Sequence, residues 1–389
     1  MTSATNNRSE IECLTWLRGL AALVVVVSHS SRALEVRYQR TDELPGFGAL
    51  NILDLGSLGV AIFFVLSGCT LTLSNSRLPI RSAHALTGFY AKRFFRIWPA
   101  YIVALAAYIA FRPVFQTLYG EAQGHWIESQ FFQEASLGDL VRYVALIFNV
   151  TGPSELYNNA FWSLPVEFQY YLMFPLFLLS MRALSIFGPA LIAGGMFFLG
   201  RSGILPLDSN LVLVLGFTFA AGIALGRLYT RWSFRLNSVI ALSLVMVITA
   251  LASLMSNEVI PIKVYRVISS EWVFYGLCGV AIVSIVLFSN ILLPDTALRP
   301  ALYLGKISYS LYLYHNLLIA IAVLGLIHFE IQSDWARTLW VCTWAFGGSL
   351  TLAALSYRWV EKPAIRLGRA IAKQRMRQPS INNKAEVNQ

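Results

Sequence analysis

Arg18 and His29 stand eleven residues apart in an apolar run that begins at Leu14. At about 100° per residue, that spacing falls roughly 20° past three full turns. As a helix, the run therefore carries both side chains on one stripe, about 16 Å apart along the axis. Ionisable groups on a membrane-grade segment are costly and face a protein interior or a water-filled cavity. A histidine so placed can take and return a proton near neutral pH. The bland alternative is a histidine that merely anchors its helix at the interface.

Other groups fit the same picture. In FYAKRFFRIWPAY, Arg93 and Arg96 are three apart and share a helix face. Paired guanidiniums suit phosphate oxygens, although snorkelling boundary charges have the same look. Glu167 is the lone carboxylate in NNAFWSLPVEFQYYLMFPL. It can orient a histidine, bind a sugar hydroxyl or hold an arginine. Pro165 and Pro175 predict a bent helix with irregular backbone around Glu167. In LGKISYSLYLYHNLL, Tyr312 and His315 share a face; substrate contact or packing suits His315 better than a second catalytic role. In GVAIFFVLSGCTL, Gly59 and Gly68 allow close helix contact and Ser67 can hydrogen-bond across helices. Cys13, Cys69, Cys278 and Cys342 form no CxxC pair and read as small buried hydrophobes, so no metal site is expected.

These groups need elements to carry them. The chain has 389 residues, 57% hydrophobic and 13% charged, where a soluble domain carries about 25% charge. Its mean hydropathy of +0.61 places it in a bilayer. The fold expected is all-α: a polytopic transmembrane helical bundle of about ten spans. They fall near 13–31, 56–74, 97–118, 160–181, 184–200, 209–228, 236–256, 272–293, 302–326 and 338–357. The apolar stretch 138–150 is expected outside the membrane or at its interface. Loops 75–96 and 227–235 and the segment after Tyr357 are rich in arginine and lysine, whereas 119–159 is acidic. The positive-inside rule then puts both termini in the cytoplasm. The division expected is a cytoplasmic segment 1–12, a membrane domain 13–366 and a basic, disordered tail 367–389. A cleaved signal peptide ending near Ala33 is a weaker reading, since it would remove Arg18 and His29. The net charge of +10 is read as cytoplasmic loops and contact with anionic lipid, not nucleic acid.

Together these motifs resemble acyltransferase family 3, bacterial multi-span membrane enzymes that acylate, commonly O-acetylate, glycans and other metabolites. The resemblance rests on LRGLAALVVVVSH, GVAIFFVLSG, KRFFRIWPAY, FWSLPVEFQYYL, ISYSLYLYH and SYRWVEKP, in family order from about 14 to 366. The family's arginine–histidine signature falls on Arg18 and His29, and its paired arginines on Arg93 and Arg96. Its tryptophan–serine–leucine motif with a glutamate falls on Trp162, Ser163, Leu164 and Glu167. The chain departs from the pattern at Ala61, where many members are acidic. It departs again at Phe168, where many have a second glutamate, and at Pro165, usually serine. It is also expected to lack the extracytoplasmic hydrolase-like domain fused to some members.

The resemblance implies a bacterial inner-membrane enzyme with acyl-CoA, in particular acetyl-CoA, as co-substrate and no permanently bound cofactor. The acceptor implied is a hydroxyl of an envelope or exported glycan. His29 and Glu167 are the expected catalytic residues, and Arg18, Arg93 and Arg96 the donor-binding ones. Ser67, Trp162, Tyr312 and His315 are expected to meet the acceptor. His29 would act as general base or carry the acyl group transiently. The pathway expected is one tunnel, cationic at the cytoplasmic end and ending at His29. Two other acceptors are open: a small natural product or a lipid-linked oligosaccharide. A transporter or flippase of a lipid-linked glycan is the rival from another class, disfavoured by the absence of an internal repeat.

Overall fold

The structure is a computed structural model that describes residues 2–38, 54–121, 126–153, 155–202, 211–256 and 271–377. Among them, helix follows helix and no strand forms; one isolated bridge joins Leu236 to Ser289. Without water to satisfy backbone groups inside a bilayer, an apolar chain must close its hydrogen bonds within each helix. The first helices are α1 (Thr2–Tyr38), α2 (Gly56–Asn75) and α3 (Ala83–Tyr119). After a short α4 (Leu137–Val144) come α5 (Ser163–Leu184), α6 (Phe187–Arg201), α7 (Gly216–Tyr229), α8 (Ser238–Ser256) and α9 (Glu271–Leu287). Next are α10 (Asp295–His328), α11 (Asp334–Cys342), α12 (Ser349–Ser356) and α13 (Lys362–Arg377). Two π-helical turns, Thr343–Gly348 and Tyr357–Glu361, join the last three into one continuous rod. Among the described residues, eight stretches are long and apolar enough to cross a membrane; α6 and α9 are shorter apolar helices. The protein is thus a multi-pass membrane bundle; at two of the ten expected spans, 184–200 and 272–293, the helix is shorter than a span.

Helix α1 packs chiefly on α10 and α2, and α2 packs on α7. Both main crossings need glycine. A Cβ at Gly305 would lie 2.0 Å from the Thr15 carbonyl oxygen of α1. One at Gly222 would lie 2.1 Å from the Val65 oxygen of α2, and one at Gly68 2.2 Å from the Phe219 oxygen of α7. Backbones that close gain dispersion contacts that lipid cannot supply.

Three local expectations change, and one further stretch gains a place. The arginine-rich loop 75–96 is mostly helix, because Ser82 caps α3 by accepting from the Ala85 N–H at 3.3 Å. Pro165 does not bend α5; it falls in the first turn, where its missing N–H costs no intrahelical bond. The irregular backbone is instead the 3₁₀ turn Asn159–Trp162 just before it. The stretch 138–150 packs against the helices. Trp98 Nε1 donates to the Val144 carbonyl at 3.0 Å, and the Asn149 and Gln169 amides exchange two hydrogen bonds. This segment therefore packs alongside α3 and α5, with Leu137 and Val141 exposed. Last, the expected disordered tail is helical through Arg377, packed on α3 where Gly88 meets Ala372 and Gly368 meets Phe95.

Candidate active site

Helices α1, α2, α3, α5, α10 and α13 border a cavity of about 1080 Å³, at the upper end of ligand pockets. Among the described residues, nine lysines and arginines line it against one carboxylate, Glu167. Arg18, Arg93 and Arg96 all face it, brought from α1 and α3 as their spacing predicts. Lys362, Arg366 and Arg369 join them from α13, in the segment where the sequence suggested only an exit into the cytosol.

The three arginines are not equivalent. Arg96 Nη1 donates to Glu361 Oε1 at 2.7 Å, and the fully buried Glu361 also accepts from Ser310 Oγ at 2.8 Å. Arg93 has no such partner. Its guanidinium sits 5.7 Å from the Tyr171 ring centre and 5.8 Å from that of Phe89, and its buried Nε has no hydrogen-bond partner. Arg18 donates only a long 3.5 Å bond, to Thr70 Oγ1. A buried N–H without an acceptor is costly, and a phosphate oxygen would satisfy it.

Glu167 faces the cavity at the level of these arginines. It accepts from Ser67 Oγ at 2.9 Å and from the Tyr171 hydroxyl. The structure therefore places Glu167 beside the cationic wall and not against His29. Ser67, almost fully buried, stands behind Glu167 and fixes it rather than reaching the cavity. Trp162 packs its ring edgewise on Phe64 and Trp272 and also lies off the cavity wall.

The inner end of the cavity is closed by Tyr312 and Ser163. The Tyr312 hydroxyl donates to the Ala160 carbonyl at 2.7 Å and accepts from Ser163 Oγ at 2.7 Å. Phe63 packs against the same ring. His315 lies just beyond, its ring centre 5.7 Å from that of Tyr312. Neither His29 nor His315 lines the cavity. The expectation of an open tunnel ending at His29 is corrected here: one aromatic ring stands between, held across the gap by α5 and the turn that precedes it.

Beyond that ring the two histidines meet. His29 Nδ1 is 2.8 Å from His315 Nε2 and 3.0 Å from Asn316 Oδ1. The ring centres are 5.0 Å apart with planes 22° from parallel, and Trp126 lies 5.3 Å from His29 on another side. Asn316 in turn reaches Asn158 and Asn159. The sequence named His29 and His315 but not this asparagine set or Glu361. The Asn-Asn pair before FWSL and the Asn after His315 were the available signals; neither declares its partner without the fold. No metal-binding group of histidine, cysteine or carboxylate occurs among the described residues.

A family model described as an acyltransferase domain matches residues 11–357, and the chain belongs to that family, acyltransferase family 3. Its relatives include acyltransferase MdmB of Streptomyces mycarofaciens, 31% identical over 44% of this chain and 40% of that protein. Peptidoglycan O-acetyltransferase OatA of Listeria monocytogenes is 27% identical over 79% of this chain and 51% of its own length. Nodulation protein 10 of Rhizobium leguminosarum is 25% identical over 92% and 95%. The chain thus spans about half or less of the length of the first two relatives, 40% and 51%. No solved structure matches it.

Proposed function

We propose that this protein O-acetylates a glycan hydroxyl, taking the acyl group from cytosolic acetyl-CoA in the bacterial inner membrane. The observation that carries this reading is a cavity of nine cations stopping one ring short of a histidine pair. The nucleotide phosphates of acyl-CoA would meet Arg18, Arg93 and the lysines and arginines of α13. The pantetheine arm would run along α1, whose Arg18-to-His29 distance is about 16 Å on helix geometry. Delivery of the thioester requires Tyr312 to rotate away from Ala160 and Ser163. Two hydrogen bonds at about 1 kcal/mol each make that motion affordable on a catalytic timescale.

His29 then acts as general base. It takes the proton from the acceptor hydroxyl as that oxygen attacks the thioester carbonyl. The carbon–sulfur bond breaks, and the thiolate leaves with the proton from the imidazolium. The products are an O-acetyl ester and free CoA thiol, with no oxidant or reductant. The O-acetyl assignment draws on OatA, named a peptidoglycan O-acetyltransferase.

The test is purified full-length protein in lipid nanodiscs with acetyl-CoA and a panel of envelope polysaccharides and their oligosaccharides. The expected result is acceptor-dependent release of thiol together with an acetylated saccharide by mass spectrometry, both abolished in His29→Ala. Thiol release that no saccharide stimulates, or full activity in His29→Ala, would overturn the reading.

A further inference from the structure

We infer that His315 and Asn316 are positioning residues that hold His29 in the tautomer protonated on Nδ1, leaving Nε2 as the only nitrogen free to take a proton. The inference rests on the proposed role of His29 as general base. Two backbone groups of fixed character, the Tyr312 carbonyl and the Ala160 N–H, set every proton in this network.

The first chain starts at the carbonyl of Tyr312, which can only accept. His315 Nδ1 lies 2.8 Å from that oxygen, so Nδ1 carries the proton. In the neutral ring His315 Nε2 is then an acceptor. It lies 2.8 Å from His29 Nδ1, which must therefore donate.

The second chain starts at the N–H of Ala160, which can only donate. It lies 2.9 Å from one side-chain atom of Asn158, which must be Oδ1. Asn158 Nδ2 then donates to the Tyr108 hydroxyl at 2.9 Å. The Asn316 atom 2.8 Å from Asn158 Oδ1 must be Nδ2, and Nδ2 also donates to Asn159 Oδ1 at 2.7 Å. This fixes Asn316 Oδ1 as the atom facing His29 Nδ1 at 3.0 Å. An amide oxygen cannot donate, so His29 Nδ1 donates here as well, and the N–H is shared between two acceptors.

The second chain also decides a case the first leaves open. A doubly protonated His315 would donate from Nε2 and need a bare nitrogen on His29. That nitrogen would then face the Asn316 oxygen lone pair to lone pair. Only the Nδ1–H form of His29 satisfies both neighbours. His315 and Asn316 are fully buried, so water does not supply an alternative partner from their side. When His29 becomes an imidazolium during transfer, the same two acceptors take up part of the charge on its Nδ1–H, as a carboxylate does in a catalytic triad.

The test has a spectroscopic and a kinetic arm. The chain has five histidines, so ¹⁵N-histidine-labelled protein in nanodiscs gives a spectrum that His29→Gln can assign. The expected result is a pyrrole-type Nδ1 and a pyridine-type Nε2 for His29; the reverse assignment overturns the inference whatever the activity. In the kinetic arm, His315→Leu should lower kcat about 10²-fold with little change in KM for acetyl-CoA. His315→Gln, which restores an acceptor oxygen, should recover part of that loss. Only the double variant His315→Leu with Asn316→Leu, which removes both acceptors, should release the other tautomer into the spectrum. Wild-type kcat in His315→Leu would overturn the positioning role. A fully active His29→Ala would instead remove the catalytic reading itself and leave the resting tautomer as a separate fact.

Discussion

Arg96 and Glu361 form an ion pair at 2.7 Å that ties α3 to the end of the π-helical turn before α13, with the carboxylate wholly out of solvent. The partners are 265 residues apart. Removing one member strands the other. Arg96→Ala leaves a buried carboxylate with only Ser310, and loss of a buried partner costs about 3–5 kcal/mol. Glu361→Ala should cost less, because the Arg96 side chain is 27% exposed and faces the cavity. Thermal unfolding in a fixed detergent should rank the variants in that order. The double variant should be milder than the sum of the two singles; strict additivity would show that the pair is not coupled.

That pair leaves Arg93 to do what two arginines were expected to share. Its buried Nε lacks an acceptor, and the Tyr171 and Phe89 rings flank the guanidinium without neutralising it. Arg93→Ala should therefore raise KM for acetyl-CoA about tenfold, the value of one charge-assisted hydrogen bond. Melting temperature should barely move. Arg93→Lys should restore charge but not the planar fork, and so recover only part of the affinity. Titration with CoA itself separates binding from turnover; unchanged CoA affinity in Arg93→Ala would remove it from the donor site.

How much of this was legible without coordinates follows from the range of each interaction. The helix stripe that joins Arg18 to His29 is local, set by 3.6 residues per turn, and the sequence carries it openly. The same holds for Arg93 and Arg96 on α3. What spacing does not encode is partnership across helices. Glu361 and Arg96, His29 and His315, and Asn316 and Asn158 are joined by packing between spans remote in the chain. Glu167 illustrates the limit: three roles were open, and only the fold puts it beside Ser67 and Tyr171 at the arginine end. The tail beyond residue 366 read as disorder because it is basic, yet an interval of small and apolar residues lets it lie on α3. The packing of 138–150 on α3 and α5 was invisible for another reason: a 13-residue apolar run has the same composition at an interface or inside a bundle.

Gly305 links assembly to chemistry. Its missing side chain lets α10 touch α1 at Thr15, and the same two helices carry His315 and His29 further along. Gly305→Leu would drive atoms into the Thr15 backbone, which cannot yield like a flexible side chain. Overpacking of that kind costs about 1–3 kcal/mol or more. The expected result is poorer yield of folded protein and, in what folds, loss of transfer with CoA binding less affected. Gly347 offers a control, since a Cβ there meets nothing within 4 Å; Gly347→Ala should be silent in both assays. Equal behaviour of the two variants would show that the α1–α10 contact does not set the histidine pair.

Tyr312 separates the cavity from the histidines, and its hydroxyl holds it there through Ala160 and Ser163. Tyr312→Phe keeps the ring and removes both bonds, so opening should become easier by about 2 kcal/mol. If the ring is the barrier between thioester and His29, the variant should admit water as well as acceptor. Acetyl-CoA hydrolysis without saccharide should then rise by an order of magnitude or more, read as free thiol, while acceptor-dependent transfer gains little. Tyr312→Ala, which removes the ring, should leak further and lose coupling between thiol release and saccharide acetylation. A Tyr312→Phe protein with wild-type hydrolysis would place the barrier elsewhere. One that loses transfer without leaking would give the hydroxyl a direct part in holding the acceptor.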